Sequence, residues 1–238
     1  MNTGPIAIAI DGPSGAGKSS LARRCAAAFG FLYVDTGAIY RTVGLAAYRQ
    51  GINRKDSKAI EKMLPTIRIR LKYNDAGEQR MFLDGEDVSD EIRKPEISIC
   101  ASDVSALPAV RSNLMQMQRT LAEENNVIMD GRDIGTVVLP NADLKIFLTA
   151  SAEARARRRM LELQEKGMPC VYEDVLKDIR YRDEQDSCRD AAPLRRADDA
   201  ILVDTTELNF DESFAALSQL IIERFCLQPF PEGETKEA

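Results

Sequence analysis

The 238-residue chain contains no histidine. That removes the commonest general base and metal ligand, so any chemistry must rest on lysine, arginine, carboxylates, hydroxyls and a metal ion. Positive charge is also in deficit. The formal net charge of −6 argues against general nucleic-acid binding, which needs a basic face to displace counterions. No apolar run approaches the roughly 18 residues of a membrane span, and Met1-Asn2-Thr3-Gly4-Pro5 does not read as a signal peptide. Cysteines are few, odd in number and scattered: Cys25, Cys100, Cys170, Cys188 and Cys226, with no C-x-x-C pair. Such a set fits free thiols in a reducing cytoplasm better than a disulfide frame or a zinc site. Repeats and low-complexity segments are lacking as well. With 44% hydrophobic and 29% charged residues, what remains is an ordinary globular composition. Its length suits one α/β domain with an insertion. The expectation is a cytoplasmic monomer bound to neither membrane nor nucleic acid.

What is present begins with Gly12-Pro13-Ser14-Gly15-Ala16-Gly17-Lys18-Ser19, a match to G-x-x-x-x-G-K-[ST]. Glycines at these positions let successive backbone N–H groups turn inward around a phosphate chain, where a Cβ would obstruct them. Lys18 then reaches the terminal phosphates, and the Ser19 hydroxyl is the expected Mg²⁺ ligand. The apolar run Ile6-Ala7-Ile8-Ala9-Ile10 predicts a buried strand before the loop, and residues 18–29 predict a helix after it. The positive end of that helix adds to the anion site.

Further along, Gly30 is placed to stop the first helix, and Phe31-Leu32-Tyr33-Val34 predicts a second strand. Asp35-Thr36-Gly37 follows, with Thr36 positioned to cap a helix running to about Gln50, and Asp56 to cap a short helix that ends near Pro65. Period-two alternation over Ile67, Ile69, Leu71 and Tyr73, a turn at Asn74-Asp75-Ala76-Gly77 and a return through Met81-Phe82-Leu83 predict a small antiparallel insertion. Residues 88–92 are a candidate third strand of it. Pro95 and Pro108 sit where they open two helices. Val127-Ile128-Met129-Asp130 reads as an apolar strand ending in an aspartate of Walker-B type. Residues 144–148 and 201–203 supply two more strands, separated by an arginine-rich helix from about Ser151 and a charged helical stretch over 171–189. A last helix spans about 211–225. Strands alternating with helices imply a parallel sheet covered on both faces, with ligands at the strands' carboxyl ends. The P-loop, Asp35-Thr36-Gly37 and Asp130-Gly131-Arg132-Asp133 all follow strand ends, so they are expected on one rim.

A P-loop establishes triphosphate binding but not its use. No guanine-reading N/T-K-x-D element occurs. Arg41, Arg111, Arg132, Arg182 and Arg189 near loop ends suit a second, fixed anion, because the planar guanidinium fork matches phosphate geometry. A solvated surface arginine is the plain alternative for each. Placement beside strand ends and helix starts favours a binding role for Arg41 and Arg132.

Four blocks together resemble the bacterial-type cytidylate kinases: the P-loop, Asp35-Thr36-Gly37-Ala38-Ile39-Tyr40-Arg41, Asp130-Gly131-Arg132-Asp133-Ile134-Gly135-Thr136-Val137-Val138, and Arg182-Asp183 with Asp186 and Arg189. Gly85-Glu86-Asp87-Val88 fits too. Many relatives have serine where Thr36 stands, which keeps the hydroxyl. The resemblance implies a nucleoside monophosphate kinase fold, with a five-stranded parallel sheet, helices on both faces and a small antiparallel β insertion. It implies one domain over 1–228, with core 1–62 and 96–228, a CMP-side insertion over about 63–95, a lid over about 154–190, and a flexible tail over 229–238. The implied reaction is phosphorylation of CMP and dCMP by ATP with Mg²⁺. Gly12, Pro13, Ser14, Gly15, Ala16, Gly17, Lys18, Ser19 and Ser20 would hold ATP. Arg41 and Arg132 would hold the CMP phosphate, with Thr36 and Tyr40 nearby. Ser102, Arg111, Asp133 and Arg189 would surround cytosine, and Arg182 and Asp186 would reach the sugar. Lys18, Arg41, Arg132, Arg158 and Arg182 are the expected catalytic cations. Arg158 and Arg159, after Arg155 and Arg157, are the candidates on the ATP side, a solvated helix face being the alternative. At Asp133 a carboxylate can accept from the cytosine N4 amino group and would repel the uracil carbonyl; pairing with Arg132 or a helix terminus is the alternative. A kinase for UMP, dTMP or another small acceptor, and a nucleotide-responsive module without turnover, remain open readings.

Overall fold

A computed structural model describes residues 4–75, 77–165 and 167–230. The chain divides into two compact units. One is formed by the segments up to Tyr33 and from Asn125 onward, the other by Val34–Glu124. In chain order the elements begin with β1 (Ala7–Asp11), α1 (Lys18–Phe29) and β2 (Leu32–Asp35). There follow α2 (Thr36–Arg49), α3 (Ser57–Met63), β3 (Ile69–Tyr73), β4 (Gln79–Leu83), β5 (Glu86–Asp87), α4 (Pro95–Ser105) and α5 (Pro108–Glu124). The chain then runs through β6 (Val127–Gly131), β7 (Leu144–Thr149), α6 (Ala152–Glu165), α7 (Tyr172–Cys188), β8 (Ile201–Asp204) and α8 (Phe210–Phe225).

The first unit is built on a five-stranded sheet in the order β2-β6-β1-β7-β8. β1 pairs in parallel with β6 and β7, placing Ile8 opposite both Ile128 and Leu144, and β7 pairs in parallel with β8. Central parallel strands are buried on both faces and so read as continuous apolar runs. Ile8, Ile10, Ile128, Ile146 and Leu148 accordingly lie wholly inside, packed with Leu21, Cys25, Leu217 and Ile221 from α1 and α8. Each such side chain contributes about 1.5–3 kcal/mol by leaving water. α6 and α7 pack on each other through a separate small cluster of Ala156, Val175 and Ile179. α1 ends at Gly30, whose left-handed φ of 67° lets the chain reverse into β2.

In the second unit α2 packs closely on α4, and a three-stranded antiparallel sheet, β3-β4-β5, pairs Leu71 with Met81. Its buried side chains include Ile39, Leu45, Ile60, Met81, Ile97 and Leu114.

The parallel sheet, its flanking helices and the antiparallel insertion all form. Three local details differ from expectation. Asp35, not Thr36, caps α2: its Oδ1 accepts from the Ala38 N–H at 2.8 Å, and Thr36 is already helical. The third insertion strand is the two-residue β5, upstream of residues 88–92, because Val88 and Ile92 turn inward around a short 3₁₀ turn. Residues Ile134–Val138, after β6, wind into one π-helical turn that no periodicity announced. In the expected tight turn after β3, Asn74 accepts from the Gly77 N–H, while Ala76 lies outside the described residues. The same holds for the expected flexible tail from residue 231 on. All five cysteines are free. Among the described residues no helix is long and apolar enough to cross a membrane.

Candidate active site

The loop between β1 and α1 depends on its glycines. Gly12 has φ 151°, and a Cβ there would stand 1.9 Å from the Leu148 carbonyl oxygen of β7. Gly17, at φ 84°, caps α1 without a side-chain acceptor, which leaves the helix's first N–H groups available to an anion. Lys18 is buried, and its Nζ donates to the Pro13 carbonyl at 2.7 Å, curling back over the loop. Burial, and then the like charge of Arg132, lower its pKa to about 7 against the pull of Asp130, Asp186 and Asp11. Ser20 is exposed beside it.

Ser19 and the end of β6 meet. The Ser19 hydroxyl donates to Asp130 Oδ2 at 2.8 Å, and Tyr33 Oη donates to Asp130 Oδ1 at 2.9 Å. A hydroxyl and a carboxylate are hard oxygen donors of the kind Mg²⁺ takes, and that ion commonly keeps waters and substrate phosphates as its other ligands. The pair fits such an ion. Among the described residues no cluster of three acidic or thiol groups offers a self-sufficient metal cage.

The loop after β6 and helix α7 share two ion pairs. Arg132 Nε contacts Asp186 Oδ2 at 2.6 Å, and Arg189 Nη2 contacts Asp133 Oδ1 at 3.2 Å. Burial works against the Arg132 charge, but Asp186, Asp130 and Asp11 outweigh it and hold the guanidinium firmly cationic. Arg189 also donates from Nε to the Ala192 carbonyl at 2.6 Å, which fixes its fork. Arg182 lies exposed on α7.

Two residues join this constellation without having been singled out as site residues from the sequence. Arg155, buried at the start of α6, donates from Nη1 to the Ser14 carbonyl of the P-loop at 2.9 Å. It forks onto both oxygens of Asp183 of α7, at 2.9 and 2.6 Å. Arg158, one turn on, bonds Thr205 and the Leu208 carbonyl in the β8–α8 connection, and Arg159 pairs with Glu162 on the surface. Asp11, the last residue of β1, accepts from the N–H groups of Ile134 and Gly135 at 2.8 and 2.7 Å. An arginine count cannot say which of four neighbours turns inward, and an acidic residue closing a strand has no spacing signature.

The second unit carries its own cationic group. Arg41 Nη2 pairs with Asp35 Oδ2 at 2.8 Å, while its Nε is buried with no hydrogen-bond partner among the described residues. The buried Arg111 lies 5.7 Å from the Tyr40 ring centroid and donates to the Ser105 carbonyl at 3.2 Å. Thr36 is buried at the start of α2, and Ser102 is exposed on α4.

A sequence profile described as cytidylate kinase matches residues 8–223, from β1 into α8. The chain belongs to the cytidylate kinase family. Among named cytidylate kinases it is 51% identical to one from Caldicellulosiruptor bescii over 215 residues, covering 90% of this chain and 95% of that one. It is 53% identical to one from Caldanaerobacter subterraneus over 207 residues, covering 87% and 90%. A third, from Syntrophotalea carbinolica, is 46% identical over 219 residues, covering 92% and 93%. The P-loop, the Asp130–Arg132–Asp133 loop and the α7 carboxylates all fall within the matched span of this cytidylate kinase family member.

Proposed function

We propose that this chain performs its family's reaction by in-line phosphoryl transfer between two anion sites, with Lys18 and Arg132 as the central cations. Family membership makes it an ATP-dependent kinase that converts CMP and dCMP to CDP and dCDP. The observation that carries the mechanism is the group formed by buried Lys18 and Asp130 with the more open Ser19 and Arg132, at the carboxyl ends of β1 and β6. There the γ-phosphorus of ATP gains a bond to an oxygen of the CMP phosphate and loses its bond to the bridging oxygen of ADP.

Such a transfer passes through a loose transition state and needs alignment and charge compensation rather than a covalent partner. The lack of histidine is therefore no obstacle. The loop amides of residues 12–20 wrap the ATP phosphates, and Lys18 exchanges the Pro13 carbonyl for a phosphate oxygen. Ser19 and Asp130 would hold Mg²⁺, which when bound neutralises charge on the phosphates. The resemblance assigns the accepting phosphate to Arg41 and Arg132, with Thr36 and Tyr40 nearby. Asp133, Arg189, Arg111 and Ser102 read cytosine; Asp186 and Arg182 reach the sugar. Arg182 and Arg158 complete the catalytic cations. Domain limits follow the sequence reading, with a lid over about 154–190 and a monomer as the working unit in the cytoplasm. Charged groups that are already oriented by fixed partners cost little reorganisation at the moment of reaction.

A coupled ADP-release assay with ATP, Mg²⁺ and a panel of nucleoside monophosphates tests this reading. CMP and dCMP should turn over fastest, and Lys18→Ala should lose on the order of 10²-fold or more in kcat. Near-normal turnover by that variant, or equal rates with UMP and dTMP, would overturn it.

A further inference from the structure

Asp11 is a buried acidic residue at the end of a core strand. It closes β1, lies almost wholly inside the first unit, and directly precedes Gly12 of the P-loop. Its carboxylate accepts from consecutive backbone N–H groups, those of Ile134 and Gly135, at 2.8 and 2.7 Å. Lys145, the cation walling the same turn, is committed elsewhere: its Nζ donates to the Pro140 carbonyl at 2.6 Å and to Asp199 at 2.9 Å.

The turn held by Asp11 is the π-helical one. The Asp133 carbonyl accepts from the N–H groups of Val137 and Val138, at 2.9 and 3.2 Å, so the backbone of Asp133 is fixed from its far side by the turn itself. Its side chain is then met by Arg189. Space at residue 135 is tight. A Cβ on Gly135 would stand 3.1 Å from Lys145 Cδ and 3.4 Å from Asp11 Oδ2. π-Turns of this kind frequently accompany functional positions. Here the turn begins one residue after Asp133 and two after Arg132.

We propose that Asp11 is a positioning residue for acceptor recognition, its carboxylate setting the placement of Arg132 and Asp133 through the amides of Ile134 and Gly135. The assignment rests on the reading that Arg132 and Asp133 bind the accepting nucleotide. It also links the two halves of the reaction. The residue that leads the chain into the ATP loop is the one that clamps the loop reading CMP, so both loops are referenced to the end of one strand.

Asp11→Asn tests the proposal, because the amide keeps the size of the side chain but offers only one accepting oxygen for two N–H groups. Losing a hydrogen bond to a charged acceptor displaces the turn, and the KM for CMP should rise roughly tenfold. The KM for ATP should stay within about twofold, the usual scale of an indirect effect across independent contacts. The preference for CMP over UMP should fall with the change in KM. A role confined to stability would lower the melting temperature and leave the ratio of the two KM values unchanged. Gly135→Ala perturbs the same contact from the opposite side and should show the same split to a smaller extent, so the inference stays testable if Asp11→Asn does not fold. Wild-type chain that fails to phosphorylate CMP would overturn the functional reading itself. Wild-type turnover with an unaltered CMP KM in both variants, or with equal rises for ATP and CMP, would overturn the Asp11 assignment alone.

Discussion

Burial moves two opposite charges of the first unit toward neutrality: the Lys18 pKa falls to about 7 and that of Asp11 rises to about 6. For Asp11 the desolvation is countered by the two amides of Gly135 and Ile134, with Asp133 adding repulsion and Lys18 attraction. Between its ordinary value of 3.8 and about 6, the folded chain keeps a proton at Asp11 that the unfolded chain has released. The contribution is therefore largest at low pH and is lost as pH rises through 6. Denaturant titrations of wild type and Asp11→Asn should show the wild type losing roughly 2 kcal/mol relative to the variant between pH 4 and pH 7. A pH-independent difference would mean that the two amides keep Asp11 ionised throughout. At this scale the sequence was legible where spacing carries the chemistry. Residues 12–19 and 130–133 could be found because glycines, lysine and a strand-ending aspartate recur at fixed intervals. Asp11 could not, since its partners are backbone amides 123 and 124 residues away. Arg155 was hidden among Arg157, Arg158 and Arg159, and only the packing of α7 determines which of them faces Asp183 and the P-loop.

Among elements, the central strands and nearly all helices were readable because burial on both faces leaves plain apolar runs and because capping residues mark the ends. The exceptions have local causes. Asp35 and Thr36 are both competent caps, and extended backbone at Asp35 decides between them. The π-turn has too few residues to show a period, and its hydrogen bonds converge on the Asp133 carbonyl. Close packing of α2 on α4 depends on Gly44, where a Cβ would stand 2.9 Å from the Ala101 nitrogen and 3.2 Å from the Cys100 carbonyl carbon. Backbone atoms cannot swing aside as a side-chain tip does. Gly44→Ala should cost about 1–3 kcal/mol in urea unfolding, despite alanine's better helix propensity. A gain in stability would show that the two helices can separate freely.

Across the whole molecule, helices α6 and α7 are tied to the P-loop by Arg155 and to the loop after β6 by Arg132–Asp186 and Arg189–Asp133. We infer that these helices act as a lid, which closed over both substrates would exclude water and so limit loss of ATP to hydrolysis. ATP hydrolysis without CMP should be far slower than transfer to CMP, and comparable rates would count against closure.

The second unit also leaves and re-enters the first at neighbouring points. The Leu32 N–H donates to the Asn126 carbonyl at 2.8 Å, so the strand leading out and the one leading back lie side by side. An uninterrupted stretch of 91 residues, Val34–Glu124, thus begins with the last two residues of β2 and runs on to the strand beside it, in a sheet whose P-loop it does not contribute. Genetically, such a stretch is a cassette: it can lengthen, shrink or be exchanged by events confined to one stretch of the gene, while the strands around the P-loop keep their register.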